Sequence, residues 1–199
     1  MPVVTVTLIE GYDAATREAL MRRLTRAVRG TMAAPLDGTT ILINQVAPAS
    51  YMRGGRAARQ PGPALPDAIG LVRQFLAAME ARDLARARTF LAPDFAMTFP
   101  GGARFTGLED LVAWAKDRYR AIRKSFEGFD ESLGDEATVV TCHGTLSGEW
   151  PDGTPFVGIR FLDRFTVRDG KLAAQQVWND LAEARSSSCT GAAAAPAPA

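Results

Sequence analysis

The hydrophobic pattern of residues 1–58 predicts a strand, a helix and a second strand. Val3–Ile9 is a run of β-branched residues and leucine, which is typical of a strand. Asp13 is a good helix N-cap, and Thr40–Val46 predicts the second strand, parallel to the first because a helix crosses between them. Apolar residues recur at helical spacing between the strands: Leu20, Met21, Leu24, Ala27, Val28 and Met32. Such a small unit buries little apolar surface by itself, so we expect it to form a homo-oligomer or to pack on another module.

Residues 53–66 contain three prolines and three glycines, which predicts a turn or hairpin after Tyr51 and then a linker. Residues 186–199 lack large apolar side chains and are predicted to form a disordered tail. The predicted organisation is therefore a first module at 1–58, a linker at 59–66, a second module at 67–185 and a tail.

The second module has a helical pattern first and a strand pattern later. Helices are predicted at 67–82, 83–88 and 107–125, with a short strand at 95–99. Four more strands are predicted at about 127–133, 137–149, 155–168 and 171–182. Asp-Gly pairs at 152–153 and 169–170 favour hairpin turns between them. This order predicts an α+β module in which three helices cover the concave face of an antiparallel sheet.

Asp163 is the one charged residue on an otherwise apolar strand face. Alternation along the strand places it with the residues Val157, Ile159, Phe161, Phe165 and Val167. A carboxylate on such a face is costly unless it is paired, hydrogen-bonded or protonated, so Asp163 is a candidate general acid or base. The alternative is a structural carboxylate bonded to the backbone, to Arg160 or to His143.

Composition narrows the chemistry. The chain has 199 residues, 23 basic and 22 acidic, with one histidine and two cysteines. This charge balance argues against nucleic-acid binding, and no apolar run reaches the ~20 residues of a membrane helix. Without a secretory signal, the expected location is the cytoplasm. Because zinc and thiol chemistry lack ligands, we predict no metal and no cofactor, and catalysis by carboxylates, tyrosines, arginines or the chain terminus.

Residues 2–56 resemble the 4-oxalocrotonate tautomerases. The matching segments are Pro2-Val3-Val4, Leu8-Ile9-Glu10-Gly11, Ala34-Pro35-Leu36, Ile41-Leu42-Ile43 and Tyr51 before Gly54-Gly55. The resemblance implies that removal of Met1 exposes Pro2 as the general base. A free α-amino group has a pKa near ~8, which desolvation and nearby cations lower towards neutrality.

Two departures from that family concern substrate binding. Members that act on dicarboxylates have arginines where this chain has Tyr12 and Thr40, so 4-oxalocrotonate is disfavoured as the substrate. Tyr12, Tyr51 and Arg53 remain as candidates to bind the substrate oxygen. Residues 1–60 have a net charge of +4, which fits a small anionic substrate or a solvated helix face.

Residues 67–185 resemble the SnoaL-like branch of the nuclear transport factor 2-like superfamily. The segments that carry the match are 75–84 (FLAAMEARDL), 91–95 (LAPDF), 105–107 (FTG), 163–165 (DRF), 169–172 (DGKL) and 178–180 (WND). The resemblance implies a cone-shaped α+β barrel and a catalytic role for Asp163. Phe75 and Phe99 occupy the positions of the tyrosine and the base of ketosteroid isomerases, which disfavours steroid isomerisation.

Four further residues are candidates to line a pocket: Phe99, Tyr119, His143 and Trp178. The leading hypothesis is a fused, cofactor-free proton-transfer enzyme, a keto–enol tautomerase, isomerase or cyclase of a small carbonyl compound, that uses Pro2 and Asp163. In one alternative, only the SnoaL-like module is active, and the first module assembles a dimer, trimer or hexamer. In the other, the protein binds a small molecule without catalysis.

Overall fold

The chain forms two compact units, Met1–Ala64 and Leu65–Ala199. The computed structural model describes residues 1–57 and 60–191. The division between the units falls inside the segment predicted as a linker. The predicted module boundary at 58/59 and residues 192–199 of the predicted tail lie outside the described residues.

The first unit is the expected β-α-β arrangement followed by a small hairpin. Its elements are β1 (Val3–Ile9), α1 (Ala14–Met32), β2 (Thr40–Val46), β3 (Met52–Arg53) and β4 (Arg56–Ala57). Strands β1 and β2 pair in parallel, with Val3 opposite Thr40. The carboxylate of Asp13 accepts a hydrogen bond from the Thr16 N–H at 2.7 Å, so it caps α1 as predicted.

The first unit leaves much of its apolar surface uncovered. None of its described side chains is fully buried. Val3 on β1 and Leu42 on β2 are 58% and 49% exposed, whereas Val4 and Ile43 are half-buried. One sheet face is therefore open to solvent in the isolated chain.

The second unit has a six-stranded sheet with helices at its edges and across its concave face. Its elements are α2 (Ala68–Glu80), α3 (Leu84–Arg88), β5 (Leu91–Thr98), β6 (Arg104–Phe105), α4 (Leu108–Ala115), β7 (Ala121–Leu133), β8 (Thr138–Glu149), β9 (Pro155–Arg168), β10 (Lys171–Asn179) and α5 (Leu181–Gly191). The strand order is β6-β5-β10-β9-β8-β7. Strands β5 and β10 are parallel, so the sheet is mixed and the expectation of an antiparallel sheet was wrong on this point.

The predicted helix at 107–125 ends early. Helix α4 stops at Ala115, and residues 121–133 form β7, a longer strand than predicted. Tyr119 and Ile122 lie three positions apart and imitate a helical face. The structure instead pairs β7 with β8 along its whole length, from Ala121 opposite Glu149 to Leu133 opposite Thr138.

The second unit also differs from prediction near its C-terminus. The last strand ends at Asn179 rather than 182, and α5 follows it. This helix includes residues 186–191 of the segment predicted to be disordered. Leu181 is 5% exposed, which anchors the start of α5 in the core. Across the described residues, no helix is both long and apolar enough to cross a lipid bilayer.

The predicted alternation along β9, with every second side chain pointing into the core, is present from Ile159 to Val167 but not at the start of the strand. Val157 is 83% exposed, while Phe156 is buried. The pairing of β8 with β9 shifts register between Leu146 and Gly148, and Gly158 has φ +78°, which reverses the alternation.

The core that supports this face lies between α2 and the sheet. Phe75 on α2 contacts Phe95 on β5 and Phe165 on β9 edge-on, with ring centroids 6.2 and 6.0 Å apart. Met97 and Val140 are fully buried beside them. These contacts fix α2 across the strand that carries Asp163.

The N-cap of α2 offers a test of how that helix is held. The Asp67 carboxylate accepts a hydrogen bond from the Gly70 N–H at 2.8 Å. We expect Asp67→Ala to lower the free energy of unfolding by about 1 kcal/mol, because an N–H at the helix start loses its partner. Urea unfolding followed by tryptophan fluorescence reports on this unit alone, since all three tryptophans lie in it. Asp67→Asn, which can still accept the bond, is the control and should retain most of the stability.

Candidate functional site

Asp163 lies at the centre of the sheet, on the face that α2 covers. It sits opposite Cys142 on β8 and Val177 on β10. Its side chain is fully buried, and it is the only charged residue in the core of the described chain. The sequence prediction that β9 turns this carboxylate into an apolar interior is confirmed.

Lys124 of β7 is the counterion of Asp163. Its ammonium contacts Asp163 Oδ2 and lies 4.4 Å from the ring centroid of Phe161. The amide Nε2 of Gln175 donates to the same Oδ2 at 3.4 Å. Within the described chain, Asp163 Oδ1 is buried without any hydrogen-bond partner. The carboxylate is therefore anchored through one oxygen and retains an open acceptor on the other.

The structural alternative for Asp163 named the wrong partners. Arg160 points to the other side of β9 and donates through Nε to Asp180 Oδ2 at 2.7 Å. His143 is half-buried on β8, on the face opposite to its buried neighbour Cys142. Neither residue is bonded to Asp163 among the described contacts.

Two adjoining cavities meet at the ion pair. The larger has a volume of about 270 Å³, and the smaller, which Asp163 lines, about 70 Å³. Four side chains line both: Phe99, Tyr119, Ile122 and Lys124. The two spaces therefore share a wall that carries one cation and one phenol.

Burial raises the pKa values of two weak acids near the Asp163–Lys124 pair. It raises the pKa of the Tyr119 hydroxyl, while Arg82 and Arg118 act in the opposite direction. Burial also raises the pKa of the Cys142 thiol to about 12, and Asp163 acts in the same direction. At neutral pH the Tyr119 hydroxyl thus remains protonated and is a hydrogen-bond donor, and Cys142 is a poor nucleophile.

The other candidates of the second unit separate into two groups. Phe99 and Tyr119 line the cavities. Trp178 is 51% exposed, and neither Trp178 nor His143 lines any of the cavities described in this unit. No group of three or more His, Cys, Asp and Glu in the described chain is placed to hold a metal ion.

The candidates of the first unit remain separate in the structure. Pro2 is half-buried at the start of β1, and its carbonyl accepts a hydrogen bond from the Thr40 N–H at 3.1 Å. Tyr12 and Tyr51 are half-buried, and Arg53 is exposed on β3. Among the described residues, no hydrogen bond or ion pair joins Pro2 to any of these three.

Sequence reasoning missed Lys124 and Gln175. Lys124 lies inside the predicted helix 107–125. Its spacing of two residues from Ile122 and from Phe126, which places the three on one face of a strand, therefore does not enter the prediction. The pattern of these three residues was the available signal. Its pairing with Asp163, 39 positions away, depends on the order of β7, β8 and β9 in the sheet.

Comparisons with known proteins agree with this division of the chain. Residues 72–175 match the model of the SnoaL-like domain, and residues 2–59 match that of the tautomerase enzymes. No curated protein matches the sequence.

Solved structures similar to this chain have low sequence identity to it. TerC co-crystallised with polyporic acid is 21% identical, with a TM-score of 0.52, over 59% of this chain and 95% of TerC. An NTF2-like protein of unknown function from Burkholderia pseudomallei is 23% identical over 58% of this chain and 92% of its own, with a TM-score of 0.49. A putative SnoaL-like polyketide cyclase from Jannaschia is 17% identical over 64% and 95%, with a TM-score of 0.48. At 21% identity, the likeness to TerC concerns the fold alone.

The ion pair makes a direct prediction about stability. Lys124→Met leaves a fully buried carboxylate without its cation, so we expect the free energy of unfolding to fall by about 3 kcal/mol. Urea unfolding with tryptophan fluorescence measures it, and Lys116→Met, at an exposed lysine, is the matched control. The double variant Lys124→Met/Asp163→Leu should regain most of the loss because no buried charge remains. A double variant less stable than Lys124→Met would contradict this account.

Proposed function

Since the chain belongs to the SnoaL-like domain family and also carries a tautomerase segment, we propose that it is a cofactor-independent proton-transfer enzyme for small carbonyl compounds. The principal site is the cavity beside Asp163. The observation that carries this proposal is the open acceptor Oδ1 of a fully buried carboxylate that lines a cavity.

The proposed step begins with proton abstraction. Asp163 Oδ1 takes a proton from the carbon next to the substrate carbonyl, and the C–H electrons form the enolate. Return of the proton from Asp163 to a different carbon gives an isomer. If the enolate carbon instead attacks a second carbonyl of the same molecule, a carbon–carbon bond forms, and that carbonyl oxygen takes the proton, which gives a cyclised alcohol.

The surroundings suit this chemistry. The developing oxyanion needs donors, and Lys124 and Tyr119 line both cavities and retain N–H and O–H groups for it. Phe99 and Ile122 make the same walls apolar, so charge interactions there are less screened than in water. Phe75 and Phe99 at the isomerase positions continue to disfavour a steroid substrate.

Proton transfer can be measured without knowing the natural substrate. We expect the protein to exchange the α-hydrogens of 2-tetralone for deuterium in D2O, and NMR measures the rate of this exchange. Asp163→Asn should reduce the exchange rate by about 100-fold or more, since the base is lost. Asp152→Asn, in an exposed turn, is the control and should leave it unchanged.

Two outcomes of that experiment would reject the proposal. Equal rates for Asp163→Asn and the unaltered protein would remove Asp163 as the base. Binding of 2-tetralone without exchange above the buffer rate would favour a small-molecule binding protein.

The first unit supports a second candidate activity. Pro2 directly precedes β1 in the segment that matches the tautomerases, and we propose that its amine, freed by removal of Met1, acts as a general base in keto–enol conversion. Tyr12, Tyr51 and Arg53 are its proposed partners for the substrate oxygen. The exposed Val3 and Leu42 support the further proposal that this unit joins copies of the chain into a homo-oligomer.

Pro2 is tested separately from Asp163. Mass spectrometry of the purified protein should show that Met1 is absent. Conversion of phenylenolpyruvate to its keto form, followed by ultraviolet absorbance, should then be at least about 100-fold slower in Pro2→Ala than in the unaltered protein. Equal rates, or a retained Met1, would leave the first unit with the assembly role alone. Asp163→Asn serves as the control because it alters only the second unit.

A further inference from the structure

The larger of the two cavities that meet at the ion pair has an excess of positive charge. Three cations line it, Arg73, Arg82 and Lys124, against one acid, Glu80. Lys124 is paired with Asp163, and Glu80 Oε1 lies 3.4 Å from Arg123 Nε. In the described chain, neither Arg73 nor Arg82 forms an ion pair with a carboxylate. Two cations at this cavity are therefore left without an anion.

Both arginines are exposed on α2 or just after it, yet their charges reach the interior. The Arg73 guanidinium lies 3.7 Å from the ring centroid of Phe129, which holds it in place. Burial raises the pKa values of Cys142, the neighbour of Asp163, and of Tyr119; the charge of Arg73 acts against the rise at Cys142, and that of Arg82 against the rise at Tyr119. Their positive potential therefore extends to the residues around the ion pair.

The backbone at Arg82 is itself unusual. Helix α2 ends in a Schellman motif, in which the Asp83 N–H donates to the Ala78 carbonyl at 2.9 Å and the Arg82 N–H to the Met79 carbonyl at 3.2 Å. Arg82 occupies the left-handed position of this motif, with φ +59°, where glycine is favoured. An arginine at this position costs conformational energy, and it supplies a cation to the cavity.

We propose that this cavity binds an anionic ligand, an apolar body of one or two rings that carries a carboxylate or enolate attracted by Arg73 and Arg82. The rings occupy the apolar wall formed by residues such as Leu76 and Leu111, and the reacting carbonyl lies towards Lys124. The volume of about 270 Å³ lies just below the ~300–1,000 Å³ of sites for drug-sized ligands, which fits a ligand of this size.

This inference rests on the proposed function only in taking the two adjoining cavities as one substrate site, with Asp163 at the smaller cavity and the arginines at the larger. Binding of the anion does not require turnover. The inference also distinguishes this cavity from a site that recognises only neutral ketones, because it predicts different affinities for the neutral and anionic forms of one ring system.

A matched pair of probes tests the inference. We expect 2-naphthoate to bind at least about tenfold tighter than the neutral 2-naphthamide, measured by isothermal titration calorimetry on the full chain. Arg82→Gly removes the cation and relieves the left-handed strain, so it should raise the melting temperature while the preference for naphthoate falls. The double variant Arg73→Gln/Arg82→Gly should bind both probes within about twofold. Arg86→Gln, at an exposed arginine outside the cavity, should keep the preference.

The outcomes distinguish this inference from the proposed catalysis. Asp163→Asn should lose proton exchange but still prefer naphthoate. Equal affinity of the two probes for the unaltered protein, no binding of either at millimolar concentration, or an unchanged preference in the double variant would each overturn the inference. None of these results depends on the exchange assay.

Discussion

The buried pair of Asp163 and Lys124 is the constraint on which the second unit depends. A carboxylate without water is tolerated only where a cation and donors reach it. Here these come from β7 and β10, on either side of the strand that carries Asp163. Strands β7, β8, β9 and β10 must therefore keep the register that brings Lys124 and Gln175 to Asp163. The same anchoring holds Oδ2 and leaves Oδ1 without a hydrogen-bond partner among the described residues, and the proposed proton transfer rests on that free acceptor.

The two units bury their apolar side chains to different extents. The second has a core in which Phe75, Phe165 and Met97 are fully buried, and its cavity is enclosed by its own elements. The first has a single two-stranded sheet and one helix, and its outer sheet face stays exposed. A desolvated cavity therefore exists within the second unit, whereas the first unit has no fully buried side chain among its described residues.

Local pattern predicted much of this fold. The bounds of β1 and β2, the Asp13 cap and the inward face around Asp163 follow from residues close together in sequence. The helix expected at 107–125 was wrong beyond Ala115, because Tyr119 and Ile122 fit either a helix or a strand. Pairing with β8 decides between them, and no local pattern contains that information. The parallel contact of β5 with β10 was missed for the same reason.

The sequence by itself determined that a lone carboxylate, Asp163, enters an apolar interior, because alternation along one strand is a local property. It also determined the scarcity of histidine and cysteine, which directs attention to carboxylates and the chain terminus. Only the tertiary structure decided that Lys124 is the counterion, that Arg160 is not, and that Arg73 and Arg82 meet at one cavity. Those pairings join residues far apart in the chain, and strand order and the end of a helix bring them together.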